Sequence, residues 1–214
     1  KDILGKADRK LQTMVDYRTH IGETPKDNSM FNTPLGMSKW QFYSTLPDHT
    51  GNVGMFSMAN EPSLHIPYLY NYAGKPWMTQ KRIRTLLNQW FRNDLMGVPG
   101  DEDGGGMSAF VVFSQMGFYP VTPGSPTYNI GSPMFTDVKV DMGNGNTFEI
   151  RANNASDENK YVQSAKLNGV TLNQPWFNHS DIAVGGLLEL EMGPKANKEW
   201  GLGTPPPSAA PMPK

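Results

Sequence analysis

Gly106-Met107-Ser108-Ala109-Phe110-Val111-Val112-Phe113-Ser114-Gln115-Met116-Gly117-Phe118-Tyr119-Pro120 is where the chain changes character. Ala109 to Phe113 is apolar nearly all round, which predicts a buried helix over 106–116. Gly117 is a suitable C-terminal stop. After Pro120 the runs shorten and alternate, with turn signals between them. Tyr128–Ile130, Val138–Asp141, Phe148–Arg151, Tyr161–Leu167 and Leu187–Glu191 read as strands. Asn144-Gly145 and Asn168-Gly169 are hairpin signals. Residues 121–194 are therefore expected to be antiparallel strands. Residues 195–214, dominated by Pro, Ala and Gly from Gly201 onward, are expected to be a disordered tail.

Upstream, the period is helical. Ile83, Leu86, Leu87, Trp90 and Phe91 share one face of a helix predicted over 79–91, with Thr79 as its N-cap and Lys81, Arg82, Arg84 and Gln89 mostly elsewhere. A second helix is predicted over 62–72, and Pro67 inside it should bend or split it. Residues 1–15 read as a third, with a loose face of Ile3, Leu4, Leu11 and Val15. Residues 18–60 hold too many Pro and Gly for long helices, yet Phe31, Trp40, Phe42, Tyr43 and Phe56 argue for order there. The class is α+β: helical over 1–120, strands over 121–194, then the tail.

Composition removes several functions. Nineteen Lys and Arg against 20 Asp and Glu, with no basic run, do not suit nucleic-acid binding. There is no cysteine, hence no disulfide framework and no thiolate metal site. No stretch of about 18 apolar residues is present to span a membrane. The opening Lys1-Asp2-Ile3-Leu4 reads as a cut inside a longer protein, with a processed mature N-terminus as the alternative.

Three segments carry chemistry. Pro99-Gly100-Asp101-Glu102-Asp103-Gly104-Gly105-Gly106-Met107-Ser108 places three acids in a glycine-flanked loop that opens onto a helix. A helix N-terminus stabilises anions and keeps carboxylates charged, as a base or a metal ligand must be. The plain alternative is a solvated acidic turn that caps the helix. An EF-hand does not fit, because the twelfth position counted from Asp101 is Val112 rather than glutamate. Asn60-Glu61-Pro62-Ser63-Leu64-His65 combines hard oxygen donors with an imidazole, suited to calcium or sugar hydroxyls; the alternative is a capped helix start. Asp48-His49 pairs a carboxylate with an imidazole, but no G-x-S-x-G elbow accompanies it, and a plain turn explains it as well. Trp40, Tyr43 and Trp77 are candidate sugar-stacking rings, and Trp90 reads as core.

Residues 60–74 (Asn60-Glu61-Pro62-Ser63-Leu64-His65-Ile66-Pro67-Tyr68-Leu69-Tyr70-Asn71-Tyr72-Ala73-Gly74) resemble a signature of the glycoside hydrolase family 92 α-mannosidases. So do Gly97-Val98-Pro99 through Ala109, Gly117-Phe118-Tyr119-Pro120-Val121-Thr122-Pro123-Gly124-Ser125-Pro126, and Ile130-Gly131-Ser132-Pro133. The resemblance runs over about 35–194. It implies a calcium-dependent exo-acting enzyme that removes terminal α-linked mannose with inversion. Its catalytic (α/α)6 barrel would follow an N-terminal β-sandwich, and residues 1–120 would be the last helices of that barrel. By the same likeness Asp101 and Asp103 match the acids that activate water, and Glu61, His65 and Glu102 match substrate-binding positions. Asn60 and Glu61 match ligands of the Ca2+ ion. Members often carry a second histidine where this chain has Leu64.

The chemistry needs an acid for the leaving oxygen and a base for water, with carboxyls roughly 6.5–9.5 Å apart in an inverting enzyme. Asp101 and Asp103 suit a shared base role. The family's acid is a glutamate upstream of the matched segment, and Glu23 does not fit it, so the isolated chain is expected to be inactive. The implied partners are a mannose-containing glycan and the preceding part of the same enzyme, without nucleic acid or a membrane span. The implied location is the bacterial periplasm or the exterior. A calcium-dependent carbohydrate-binding module without hydrolysis is the alternative, as is a structural β domain on a helical stalk.

Overall fold

The computed structural model describes residues 52–53, 56–93, 97–100, 102–143 and 145–208. The helix expected over 1–15, Asp48-His49 and the aromatic residues of 18–50 lie outside these, as does Asp101. The chain divides into two compact units. One comprises residues 1–64 with 88–108, the other residues 65–87 with 109–214. The division falls inside two helices rather than at residue 120, so the helical and strand-forming parts of the sequence are not separate bodies.

The second unit is two packed sheets with helices. Its larger sheet has the order β5-β6-β10-β7-β8, from β5 (Asp137–Asp141), β6 (Thr147–Asn153), β7 (Tyr161–Leu167), β8 (Val170–Thr171) and β10 (Gly186–Gly193). The smaller is β3-β4-β9, from Phe118–Tyr119, Thr127–Ile130 and Trp176–Asn178. Both hairpin signals are realised. β5 and β6 pair antiparallel from Asp141↔Thr147 outward. Asn168 and Gly169, both at positive φ (52° and 80°), turn β7 into β8 with Leu167 opposite Val170.

The expectation of a purely antiparallel region is corrected. β10 inserts between β6 and β7, antiparallel to β7 but parallel to β6 over Gly186↔Phe148 to Glu191↔Asn153. A period of two reports which face a residue occupies, not the direction of its neighbour. Phe148, Ile150 and Ala152 of β6 and Leu188, Leu190 and Met192 of β10 alternate into the core. On β7 the buried pair is Val162 and Ala165, out of step. The register shifts there: Glu191 faces Ser164 while Met192 faces Val162, so Gln163 is an extra residue in a bulge. The outer face carries Asp137, Arg151, Glu189 and Lys166 in register across four strands, alternating in sign and suited to water.

Aromatic rings join the sheets. Phe118 and Phe177 from the small sheet and Phe148 from the large one meet with centroids 5.4–6.3 Å apart. Each ring buried this way contributes roughly 1.5–3 kcal/mol by removal from water. Trp200 belongs to the same core. Its Nε1 donates to Leu172 O at 3.0 Å, and Trp176 Nε1 donates to Thr204 O at 2.9 Å. The disordered-tail reading is therefore corrected over 195–208. Pro, Ala and Gly content described the segment's backbone, but one buried indole is enough to tie it down.

Helices α1 (Leu69–Tyr72), α2 (Pro76–Trp90) and α3 (Gly106–Met116) follow the sequence with adjustments. The stretch predicted over 62–72 is split as Pro67 requires, into 3-10 turns Glu61–Ser63 and Ile66–Tyr68 and then α1. α2 starts at Pro76, with proline in the first turn where its missing N–H is harmless, and not at Thr79, which is buried inside it. Ile83, Leu86, Leu87 and Trp90 of its predicted apolar face are buried, while Phe91 falls just past its end and is half-buried; Gln80, Arg82 and Arg84 are buried too. Arg84 donates to Pro133 O (2.8 Å), Ser156 O (2.9 Å) and Asp157 Oδ1 (2.8 Å), and Gln80 Oε1 accepts from Val162 N (3.1 Å). α3 has the predicted bounds and ends on Gly117, whose N–H reaches Phe113 O and Ser114 O. It is not buried all round: Met107, Phe110 and Ser114 are, while Val112 is 55% exposed.

Candidate active site

The first unit brings two of the three chemical segments together. Phe56 and the Met58-Ala59 turn are buried beyond the short β1 (Asn52–Val53) and β2 (Phe56–Ser57) hairpin, and Leu64 is buried after them. This anchors both ends of Asn60-Glu61-Pro62-Ser63. Asn60 has extended backbone (φ −141°, ψ 125°), makes no side-chain cap bond and is exposed. Glu61 is half-buried.

The acidic loop crosses this turn at close range. Arg92 N donates to Gly97 O at 2.9 Å, closing the approach, and Pro99 is buried. Gly100 has φ 68°, and a Cβ there would lie 2.3 Å from Ala59 O and 2.5 Å from Ala59 Cβ. Only glycine allows that approach and that dihedral together. Further on, a Cβ on Gly106 would lie 3.2 Å from Glu61 Cγ and 3.7 Å from Glu61 Oε1. The Glu61 side chain therefore runs along the first turn of α3, where the helix dipole favours negative charge.

Between these crossings the backbone is left-handed three times in succession, at Asp103 (φ 48°), Gly104 (67°) and Gly105 (103°). Asp103 is exposed, and Asp is among the few side chains that tolerate this region. Glu102 caps the reversal. One carboxylate oxygen accepts from Gly105 N and the other from Ser108 N at 2.9 Å. The Ser108 hydroxyl first, then the backbone N–H groups, hold the Glu102 carboxyl below the usual glutamate range.

Of the positions expected from sequence, Asn60, Glu61, Glu102 and Asp103 fall in this unit. His65 is exposed in the other, where its carbonyl accepts from Tyr68 N at 3.0 Å. Among the described residues, no three of His, Cys, Asp and Glu gather as a metal cluster. The sequence placed Gly100, Gly106 and Ser108 in the glycine-flanked loop but did not show the contacts each makes there. Their signal was spacing: a serine six positions past Glu102 and glycines at both ends of an acidic run.

The catalytic domain of glycosyl hydrolase family 92 matches residues 6–194 of this chain. The chain belongs to glycosyl hydrolase family 92. A family 92 α-mannosidase of Bacteroides thetaiotaomicron, solved in complex with mannoimidazole, is 38% identical; the match covers 75% of this chain and 21% of that one, with a TM-score of 0.72. A family 92 inverting mannosidase from the same organism is also 38% identical, over 68% of this chain and 20% of that one, with a TM-score of 0.63. A protein of Arthroderma benhamiae described as an uncharacterized secreted glycosidase is 36% identical over 182 residues, 84% of this chain and 23% of its own length. The chain thus spans between a fifth and a quarter of these relatives. Both the Asn60-Glu61 turn and the acidic loop lie inside the family 92 catalytic-domain match.

Proposed function

We propose that this family 92 chain supplies part of the active site of an exo-α-mannosidase that removes terminal α-linked mannose from glycans with inversion and with calcium. The observation that carries the reading is the approach of Glu61 to the start of α3 across Gly106, beside the loop that carries Asp103. Two carboxylate-bearing segments about 40 residues apart have been brought to one place, inside a catalytic-domain match whose solved relatives are mannosidases.

In this proposal Asp101 and Asp103 hold a water and take its proton as the oxygen attacks the anomeric carbon. An opposing acid, outside the described residues, protonates the departing glycosidic oxygen. One displacement then gives inversion. Asp103 suits a base: it is exposed to solvent on a loop whose left-handed backbone is restrained by Glu102. Glu61 contacts the sugar. Asn60 and Glu61 offer hard oxygen donors of the kind calcium takes, fewer than its usual six to eight, so water, sugar hydroxyls and other residues complete the shell. When bound, the ion would coordinate mannose hydroxyls and favour a distorted ring. The enclosing fold would be an (α/α)6 barrel, and the site of action outside the cytoplasm, periplasmic or secreted. The description of the Arthroderma relative as secreted supports that location.

The test is mannose release from a panel of α-linked mannobioses, with calcium and with chelator, by the longest polypeptide that carries these residues. The first-formed anomer is read by NMR. We expect calcium-dependent release of β-mannose, lowered about 10²–10⁴-fold by Asp103→Asn, the range for loss of a general base. Mannose binding should persist in that variant. Retained turnover in Asp103→Asn, or α-mannose as first product, would overturn the assignment.

A further inference from the structure

Glu102 stands between the two aspartates, and resemblance assigns it to the sugar. Its geometry says otherwise. A carboxylate has about four lone-pair sites. Each oxygen is engaged within the loop, one by Gly105 N–H and the other by Ser108 N–H. The backbone of Met107 also leans on the Glu102 carbonyl, at 3.4 Å. The span so bridged holds Asp103 at φ 48°, a conformation a non-glycine residue leaves readily unless its surroundings enforce it.

We propose that Glu102 is a positioning residue: its carboxylate bridges the Gly105 and Ser108 N–H groups and thereby holds Asp103 in its left-handed conformation at the start of α3. The role rests on the mannosidase reading for its catalytic consequence, but the bridge itself does not. A carboxylate with each oxygen bound by its own loop is committed to the loop. The Gly105 and Ser108 N–H groups are the other half of the device.

The experiment compares Glu102→Ala and Glu102→Gln with the parent in the longest polypeptide that carries these residues. Two readouts are taken: hydrogen exchange of peptides covering 102–109, and kcat, KM and mannose inhibition on an α-mannoside. We expect exchange in that peptide to rise at least about tenfold in Glu102→Ala, with Glu102→Gln between it and the parent because one acceptor oxygen survives. We expect kcat to fall about 10–100-fold, the scale of an ångström misplacement of a reacting group, with KM and mannose inhibition moving less than about threefold. Unchanged exchange in Glu102→Ala overturns the proposal. So does the opposite kinetic split, kcat held and KM raised tenfold with the loop still protected, which is the mark of a direct sugar contact. A parent enzyme that releases no mannose counts against the mannosidase reading instead, and the exchange comparison then decides the role of Glu102 by itself.

Discussion

At the scale of single residues, the site depends on what is left out. Gly100 lacks a Cβ where one would meet Ala59 O at 2.3 Å, and its φ of 68° is one that alanine resists. Gly100→Ala is therefore predicted to destabilise by at least about 2 kcal/mol, strain and overlap acting together, read as a lowered denaturation midpoint. Glu102 gives a pH signature. Its carboxyl is held below the ordinary value of 4.5 by the Ser108 hydroxyl first and the loop N–H groups after it. A depressed carboxyl contributes fully above the unfolded value and loses its contribution as pH falls through the lower, folded one. Protection of 102–109, corrected for intrinsic exchange, should be level from neutrality down to about pH 4.5 and fall below it. The Glu102→Ala variant should show no such step. The acidic run stood out in the sequence as a candidate site, with a solvated capping turn as the alternative. That Glu102 faces its own loop was not legible, because its partners Gly105 N–H and Ser108 N–H are backbone groups that every residue carries.

At the scale of elements, α2 shows how an amphipathic pattern can be right and incomplete. Ile83, Leu86, Leu87 and Trp90 are buried as their spacing required. Arg84 is buried as well, since carbonyls of Pro133 and Ser156 converge on its guanidinium. Its carboxylate partner Asp157 is 82% exposed, so the ion pair itself is screened and weak. Arg84→Ala should cost about 2–4 kcal/mol, leaving two carbonyls without their donor, whereas Asp157→Ala should cost less than about 1 kcal/mol. Urea denaturation of the two variants separates the effects, and equal losses would mean that the ion pair rather than the carbonyls holds the helix. No hydropathy pattern marks such an arginine, since its acceptors come from loops 49 and 72 residues away.

At the scale of the molecule, the two units have different tasks. The second holds the large core, where the rings of Phe118, Phe148 and Phe177 join two sheets and Trp200 closes over them. Trp200 is 5% exposed, and Trp200→Ala is predicted to cost about 3–5 kcal/mol, the range for emptying a large aromatic site. A loss below about 1 kcal/mol in thermal unfolding would restore the reading of 195–208 as a loose tail. The first unit holds the crossing of the Asn60-Glu61 turn with the acidic loop, with Phe56, Met58, Leu64, Trp90 and Met107 buried among its described residues.

By itself the sequence determined the family, the helix and strand types, the two hairpins and the segments that are candidates for the chemistry. All of these are written in local periodicity, turn residues and short motifs, where neighbours in the chain are neighbours in space. The tertiary structure alone decided that β10 enters parallel to β6, that Arg84 and Trp200 are buried, and that Gly100 and Gly106 let Glu61 approach the acidic loop. Each of these depends on which distant backbone arrives, and a polar group or a glycine is chosen by that neighbour rather than by the residues on either side of it.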